Sequence, residues 1–393
     1  MTDSTHPFFV IYIVWHPKFK DGESIAKVLY DHYRRDIYTN VTGGFGFSVI
    51  YRSVIENGRN VPVDISFDQA ETSAVILLID DEFASDSAWS FWIHDLVGRA
   101  DACGLCSRVF PVAICSKATR IGLFEQALRW DQWTDASQQE RENRLIAGLS
   151  YQFCRMLRLL LSSKEHNIKD EEALEQYLRK IDVFLSHSKH DAYGEKIAKL
   201  IREFIHDSDG LSSFFDVYDI PAGLRFNKVI LQKVKMSSVV AIYTDSYSSR
   251  EWCRREIIEA KKWNVPLVVA NCIRDFDDRS FPYMGNVPVV RMEPEVTDRI
   301  EFVVGRLLDE VLKDFLWKCR IFYAAYSNVQ NVVFLPRPPE LISLVSLIAD
   351  DRDNTVLVYP DPPIGDEEAM LFEIISPSIR LRSMIEWLAE TEI

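Results

Sequence analysis

The sequence predicts an α/β protein made of two tandem doubly wound domains, each a parallel sheet between helical layers, followed by a small C-terminal α/β piece. Three observations predict it. Apolar runs of strand length recur along the chain, continuous rather than alternating, as in Phe8-Phe-Val-Ile-Tyr-Ile-Val-Trp15. Such runs suit strands covered on both faces, the condition found in parallel sheets. Helical patterns lie between the runs, and strands alternating with helices imply parallel pairing through crossovers. The whole alternation then occurs a second time, as in a duplicated unit.

The first domain is expected over residues 1–163, with strands at Phe8–Trp15, Ala74–Ile79 and Val109–Ile114. A helix is expected over Gly22–Tyr33, and a long amphipathic helix at about Gln139–Leu161 closes the domain. The polar stretch Ser162-Ser-Lys-Glu-His-Asn-Ile-Lys-Asp-Glu-Glu172 reads as a linker running into a short helix, and 164–180 is assigned to it. The second domain, 181–320, has strands expected at Asp182–Leu185, Ser213–Phe215, Val239–Tyr243, Pro266–Ala270 and Val287–Arg291, then a helix at about Asp298–Trp317.

Residues 329–393 carry a smaller repeat, in which Val332-Val-Phe-Leu-Pro-Arg-Pro-Pro-Glu-Leu341 echoes Val356-Leu-Val-Tyr-Pro-Asp-Pro-Pro-Ile364. Each copy reads as a strand, a proline-fixed turn and a helix start, a place that suits proline. The piece is too short for a full nucleotide-binding fold. It is read as packing on the second domain or as an assembly or sensing element.

Two matches between the large segments support duplication. His16-Pro-Lys-Phe-Lys-Asp-Gly-Glu-Ser-Ile-Ala-Lys27 is similar to His187-Ser-Lys-His-Asp-Ala-Tyr-Gly-Glu-Lys-Ile-Ala-Lys199 with a one-residue shift. Ala74–Trp89 is similar to Val239–Trp252 with two extra residues.

Composition narrows the function. An apolar fraction of 47% and aromatics at 12% supply a core over 393 residues. The net charge of −14 argues against nucleic acid, whose phosphates require clustered Lys and Arg, and against an anionic membrane surface. No run has the length of a membrane span, and no secretory leader is expected. Seven scattered cysteines suit a reducing cytosol better than a disulfide framework, so a cytoplasmic protein is expected. The lone Cys103-Gly-Leu-Cys106 has no second pair and reads as loop residues rather than a metal or redox site. No metal site is expected.

The stretch with most chemistry is Ser246-Tyr-Ser-Ser-Arg-Glu-Trp-Cys-Arg-Arg-Glu256, behind the apolar run Val239-Val-Ala-Ile-Tyr243. A strand runs into a polar turn and then a helix, in which Trp252 and Glu256 share one face at a spacing of four. The open ends of such strands are where doubly wound sheets keep their ligands. Together with Val183-Phe-Leu-Ser-His-Ser-Lys-His-Asp191, this stretch resembles a TIR (Toll/interleukin-1 receptor) domain, specifically over Ile181–Met292 and loosely over the first 160 residues.

The resemblance implies two flavodoxin-like, TIR-like domains in tandem. It places Glu256 where the NAD+-cleaving members keep their catalytic glutamate. NAD+ is then a substrate and no cofactor is expected. The bond between nicotinamide and ribose breaks, neutral nicotinamide leaves, and a fixed carboxylate opposes the charge developing on the ribose. Glu251 and Glu259 fall on other helix faces. Trp252 is read either as a wall of the nicotinamide-ribose pocket or as core packing. Ser186, His187 and Ser188 match the loop that lines the family's substrate site, with a purely structural turn as the other reading; His187 is not needed as a base, because nicotinamide leaves without a proton. Asp216-Val-Tyr-Asp-Ile-Pro-Ala-Gly-Leu-Arg-Phe226 resembles the BB loop, with Asp216, Arg225 and Phe226 as substrate or partner contacts, against an ordinary solvated loop.

The first domain departs from this pattern. Trp89 is read as the counterpart of Trp252, but Ile93 stands four residues on, and Asp95 and Glu82 lie at the wrong spacings. It is therefore read as a degenerate copy that supplies a partner surface. The functional expectation is an NAD+ glycohydrolase, or a cyclase making a cyclic ADP-ribose isomer, activated by association with other TIR domains within and between chains, in immune or antiviral signalling. The alternative is a non-enzymatic TIR adaptor. A third reading is a receptor whose C-terminal piece binds a nucleotide signal.

Overall fold

The computed structural model describes residues 6–34, 45–55, 59–165, 170–207, 211–214, 226–275, 281–292, 298–324, 331–342, 345 and 355–391. The chain divides into two units, Met1–Arg179 and Lys180–Ile393. It is an α/β protein in which every ladder among the described residues is parallel.

The first unit contains β1 (Phe9–Trp15), α1 (Gly22–Tyr33), β2 (Ser48–Arg52), β3 (Thr72–Ile79), α2 (Asp81–Ser85), α3 (Ser87–Ala102), β4 (Ser107–Ala113), α4 (Gln138–Glu165) and α5 (Asp170–Leu178). Its sheet has the order β2-β1-β3-β4. Every residue of β1 and β3 is buried, which explains their unbroken apolar runs. Val10, Tyr12 and Val14 of β1 join the core beneath α3. The alternate residue Phe9 meets Phe153 of α4 on the other face, with ring centres 5.4 Å apart. Beyond β4 the ladder ends in a single parallel bridge, Val112 to Leu128. The expected linker begins later than its polar sequence suggests, because α4 runs on through Ser162 and Ser163 to Glu165.

The second unit contains β5 (Ile181–Ser186), α6 (Ala192–Asp207), β6 (Leu211–Phe214), α7 (Phe226–Met236), β7 (Ser238–Tyr243), α8 (Glu251–Lys262), β8 (Leu267–Asn271), β9 (Val289–Arg291) and α9 (Asp298–Ala324). Its sheet has the order β6-β5-β7-β8-β9, the flavodoxin-like arrangement. The chain leaves β5 toward one neighbour and returns to place β7 on the other side. This reversal opens a crevice at the carboxyl ends of β5 and β7. α7 and α8 cover one face through Ile230, Val234, Cys253, Ile257 and Ala260. α6 and α9 pack on each other and on the strands.

α8 stops where its sequence directs. Asn264 takes the left-handed conformation at φ 52°, its N–H bonds Lys261 O at 3.1 Å, and Val265 N–H bonds Ala260 O at 3.0 Å. This pair of bonds satisfies the last carbonyls of the helix.

The second unit also holds the small C-terminal sheet β10 (Val332–Phe334), β11 (Thr355–Tyr359) and β12 (Ile379–Ser383), in the order β10-β11-β12, with α10 (Asp366–Ile375) and α11 (Met384–Thr391). Two strand–turn units are legible in the sequence; β12 is a third. Ser383 and Glu386 bond each other's backbone N–H and so start α11 with a capping box. The piece packs on α9, where Trp317 joins Val358, Met384 and Trp387 in one buried cluster. Ion pairs tie it down: Lys261 Nζ lies 2.6 Å from Glu340 Oε1 and donates to Gly285 O at 2.7 Å, and Arg337 donates to Val265 O at 2.8 Å beside Glu310. Burial pushes the Lys261 ammonium below the ordinary lysine range, and Glu340 opposes that shift. Removing one member of a buried pair leaves the other charge uncompensated. Glu340→Ala is expected to destabilise the second unit by about 2–3 kcal/mol, just below the roughly 3–5 kcal/mol of a fully buried pair because Glu340 keeps some solvent contact. Lys261→Met, which removes the buried charge itself, is expected to cost less. Urea unfolding of both variants checks the order; equal losses would contradict it.

Candidate active site

Three segments meet at the crevice. β5 ends on Ser186, which pairs with Ala241 of β7. After β7 the chain makes a turn closed by Tyr247 N–H to Thr244 O at 2.9 Å and Arg250 N–H to Tyr247 O at 3.0 Å. α8 then carries Glu256 in its second turn. Glu256 is only 5% exposed, Ser186 1% and Tyr247 0%.

The three side chains form a directed chain of hydrogen bonds. Ser186 Oγ donates to Glu256 Oε2. Ser186 has one proton, so its 2.5 Å bond with Tyr247 runs from the phenol to the serine oxygen. Burial, with Cys253 and Glu256 nearby, pushes the Tyr247 phenol well above its usual range, so it stays neutral and keeps the proton it donates. The arrangement presents a carboxylate with a hydrogen bond given to it, at the open end of a parallel sheet.

His187 and Ser188 follow Ser186 and are also buried. The His187 carbonyl accepts the Cys253 thiol at 3.5 Å, and its Nδ1 lies 3.4 Å from Leu185 O. Ser188 Oγ accepts from Ser246 Oγ at 3.0 Å, and Ser246 also reaches Asp191 Oδ2 at 3.4 Å. Asp191 starts α6 by accepting from the N–H groups of Tyr193 at 3.0 Å and Gly194 at 3.2 Å. Burial opposes its ionisation, but the Thr244 hydroxyl beside it, the two N–H groups and Ser246 outweigh that and hold its carboxyl below the usual carboxylate range. Thr244 Oγ1 itself lacks full hydrogen-bond geometry to any described partner, so the backbone N–H bonds are the firmer cause.

Trp252 is 36% exposed, with the Arg255 guanidinium 4.4 Å from its ring centre. It is therefore not core packing. Glu251 is exposed, and Glu259 accepts the Trp263 indole N–H at 2.6 Å. Glu251 lies well round the helix from Glu256, whereas Glu259, three residues on, neighbours it along the helix surface but is engaged by the Trp263 indole. Asp216 and Arg225 lie outside the described residues. Phe226 is the first residue of α7, and its side chain lies outside the described set. Tyr247 and Asp191 both lie within the two stretches that carry the resemblance, but the sequence gives neither a role. The available signal was a tyrosine four residues past a buried strand, inside a turn otherwise made of small polar residues.

The first unit has the same frame with different contents. Val14 pairs with Leu77 as Ser186 pairs with Ala241. Phe83 stands four residues past β3, as Tyr247 stands four past β7, and α3 and α8 both start eight residues past those strands. Counting from the helix starts, Trp89 matches Cys253 and Trp92 matches Glu256, and the buried positions of the two helices agree on that count. The sequence alignment that paired Trp89 with Trp252 is thus one residue out, and no extra residues are needed. The sheet register likewise makes His16 the counterpart of Ser188 rather than of His187. Val14, Phe83 and Trp92 all belong to one apolar cluster.

Residues 183–291 match the family model of the TIR domain, so this chain carries a TIR domain in its second unit. No curated protein matches the chain in sequence. Among the described residues no helix is long and apolar enough to cross a membrane, and no group of three His, Cys, Asp or Glu side chains is placed to hold a metal.

The Asp191 contacts predict a pH-dependent stability. A carboxyl held low in the fold contributes stability above its unfolded value, about 3.9, and loses it as pH falls through the folded value. Asp191→Asn keeps a capping side chain but cannot ionise. It is expected to lower stability by about 1 kcal/mol at pH 7, with the gap closing as pH falls below the unfolded carboxyl value and through the lower folded one. Thermal unfolding at a series of pH values reads this; a gap independent of pH would contradict it.

Proposed function

We propose that the TIR domain of this chain is an NAD+ glycohydrolase with Glu256 as its catalytic carboxylate. The observation that carries the reading is a buried carboxylate at the switch point of the sheet, given a hydrogen bond by Ser186 from a neighbouring strand. A surface glutamate on a solvated helix needs no such partner. NAD+ is a substrate here, and the chemistry requires no metal.

Nicotinamide is a good leaving group because it departs neutral. As its bond to the ribose lengthens, positive charge grows on the ribose carbon and its ring oxygen, and a fixed carboxylate stabilises that charge. At 4 Å and an effective dielectric near 20, a unit pair is worth about 4 kcal/mol. This corresponds to roughly a thousandfold in rate, provided the ground state gains less. Water then attacks the ribose carbon and releases its proton to solvent, giving ADP-ribose. Where an adenine nitrogen reaches that carbon first, the product is a cyclic isomer. TIR domains commonly self-associate, and activation by association with other TIR domains fits the resemblance of Asp216–Phe226 to the family's BB loop. Immune or antiviral signalling through NAD+ loss follows as the biological role.

The test is nicotinamide release by concentrated protein with and without a crowding agent. Wild type is expected to release nicotinamide, and Glu256→Gln to lower the rate by about a thousandfold with its circular dichroism unchanged. Full activity in the variant would sink the assignment. No release by wild type under any assembling condition would favour the adaptor reading instead.

A further inference from the structure

Ser186 matches the family's substrate-lining loop by sequence, and in the structure its hydroxyl is hydrogen-bonded within the protein. Its proton goes to Glu256, one of its lone pairs takes the Tyr247 proton, and the residue is 1% exposed. Its one donor and one of its two acceptor sites are engaged inside the protein. We propose that Tyr247 and Ser186 are positioning residues that hold the Glu256 carboxylate in one orientation and in its ionised form. This inference rests on the reading of Glu256 as the catalytic group.

The mechanism is one of direction. A serine hydroxyl rotates freely and can turn its proton to any nearby acceptor. The Tyr247 proton occupies the side of Ser186 Oγ that faces the turn, so the serine proton is left to point at α8. The phenol cannot lose this role by ionising, because burial keeps it neutral. A carboxylate that accepts such a bond is stabilised as the anion, and its rotation is restricted by a serine fixed on the sheet.

The first unit supports the point independently. Its Phe83 supplies the ring at the Tyr247 position, fully buried and 4.9 Å from Trp89, without the hydroxyl. Packing at this place is therefore satisfied by phenylalanine. In the same unit the serine position is Val14 and the carboxylate position is Trp92. The hydroxyl at the turn, the hydroxyl at the strand end and the carboxylate are present together in one unit and absent together in the other.

The experiment combines kinetics with a readout that needs no activity. For Tyr247→Phe, kcat is expected to fall about fivefold, and for Ser186→Ala about tenfold or more, with KM little changed. The double variant is expected to match Ser186→Ala alone, since the tyrosine acts through the serine. The Glu256 carboxyl carbon, labelled and assigned by its loss in Glu256→Gln, is followed by NMR titration. Its midpoint is expected to rise by about half to one pH unit in each variant. The ionisable groups around it on the packed elements are Tyr247 and Tyr243 from β7 and its turn, Cys253 and Arg255 on α8, and His187 past β5; apart from the Tyr247 phenol, which one variant replaces and which stays neutral in the other, these are unchanged. A structural role for Tyr247 would move thermal stability but leave the midpoint in place. Unchanged midpoints, or kinetic losses that multiply in the double variant, would overturn the proposal. Should Tyr247→Phe fail to fold, Ser186→Ala and the rescuing Ser186→Thr test the same midpoint. A wild type that releases no nicotinamide would overturn the enzyme reading alone, because the titration is read without turnover.

Discussion

A carboxylate buried at the end of a sheet constrains everything around it. Removing a charged group from water costs several kcal/mol unless it is paired or hydrogen-bonded. Glu256 meets that requirement through a serine contributed by a strand seventy residues earlier in the chain. The serine in turn needs a fixed donor, and the buried phenol of Tyr247 provides it. These contacts hold only if β5, the turn after β7 and the second turn of α8 are all in register. The Ser186–Ala241 pairing sets the first relation, and the hydrogen-bonded turn through Thr244, Tyr247 and Arg250 sets the second. The site is therefore a property of the topology: the crevice exists where the strand order reverses, and that is where the sheet presents free carboxyl ends.

The first unit shows what this frame does without the charge. Its strand order matches that of the second over its four described strands, and its helix α3 buries the positions that correspond to Cys253, Glu256, Ile257 and Ala260 of α8. With Val14, Phe83 and Trp92 at the three positions, the region closes into an ordinary apolar cluster. Three polar groups are not needed to fold this architecture, and apolar groups of similar size remove the desolvation cost. Where a protein keeps buried polar groups that the fold does not need, function is the expected reason.

The fold was legible in the sequence wherever burial was two-sided. β1, β3 and β7 read as apolar runs because helices cover both of their faces. β2 was not legible, since no residue of it is fully buried and its apolar run, Val49-Ile-Tyr51, is too short to stand out. β12, Ile379-Arg-Leu-Arg-Ser383, alternates with arginine and went unread for a related reason. Glu256 was legible from local spacing and family resemblance. Tyr247 was not, because its partners come from a distant strand and only the pairing register brings them together. The alignment of the two units slipped by one residue at both ends for the same cause: His16 and His187 look alike in sequence, but the sheet pairs place them one position apart.

α8 carries buried charge in two places, and this joins the C-terminal piece to the domain. Glu256 turns toward the sheet, and Lys261, five residues on, turns toward Gly285 and Glu340. At 1.5 Å per residue their Cα atoms are only about 7.5 Å apart along the axis, yet their directions differ by more than a quarter turn. The middle and the C-terminal turn of the helix are thus each held by a buried group that needs a partner. The Lys261 partner comes from the segment after β10, and Arg337 of the same segment bonds the carbonyl of Val265, just beyond the helix stop. The C-terminal sheet therefore takes part in fixing the axial position of the helix that carries Glu256. A small α/β piece with no chemistry of its own visible in the sequence is, on these contacts, part of the scaffold that holds the site.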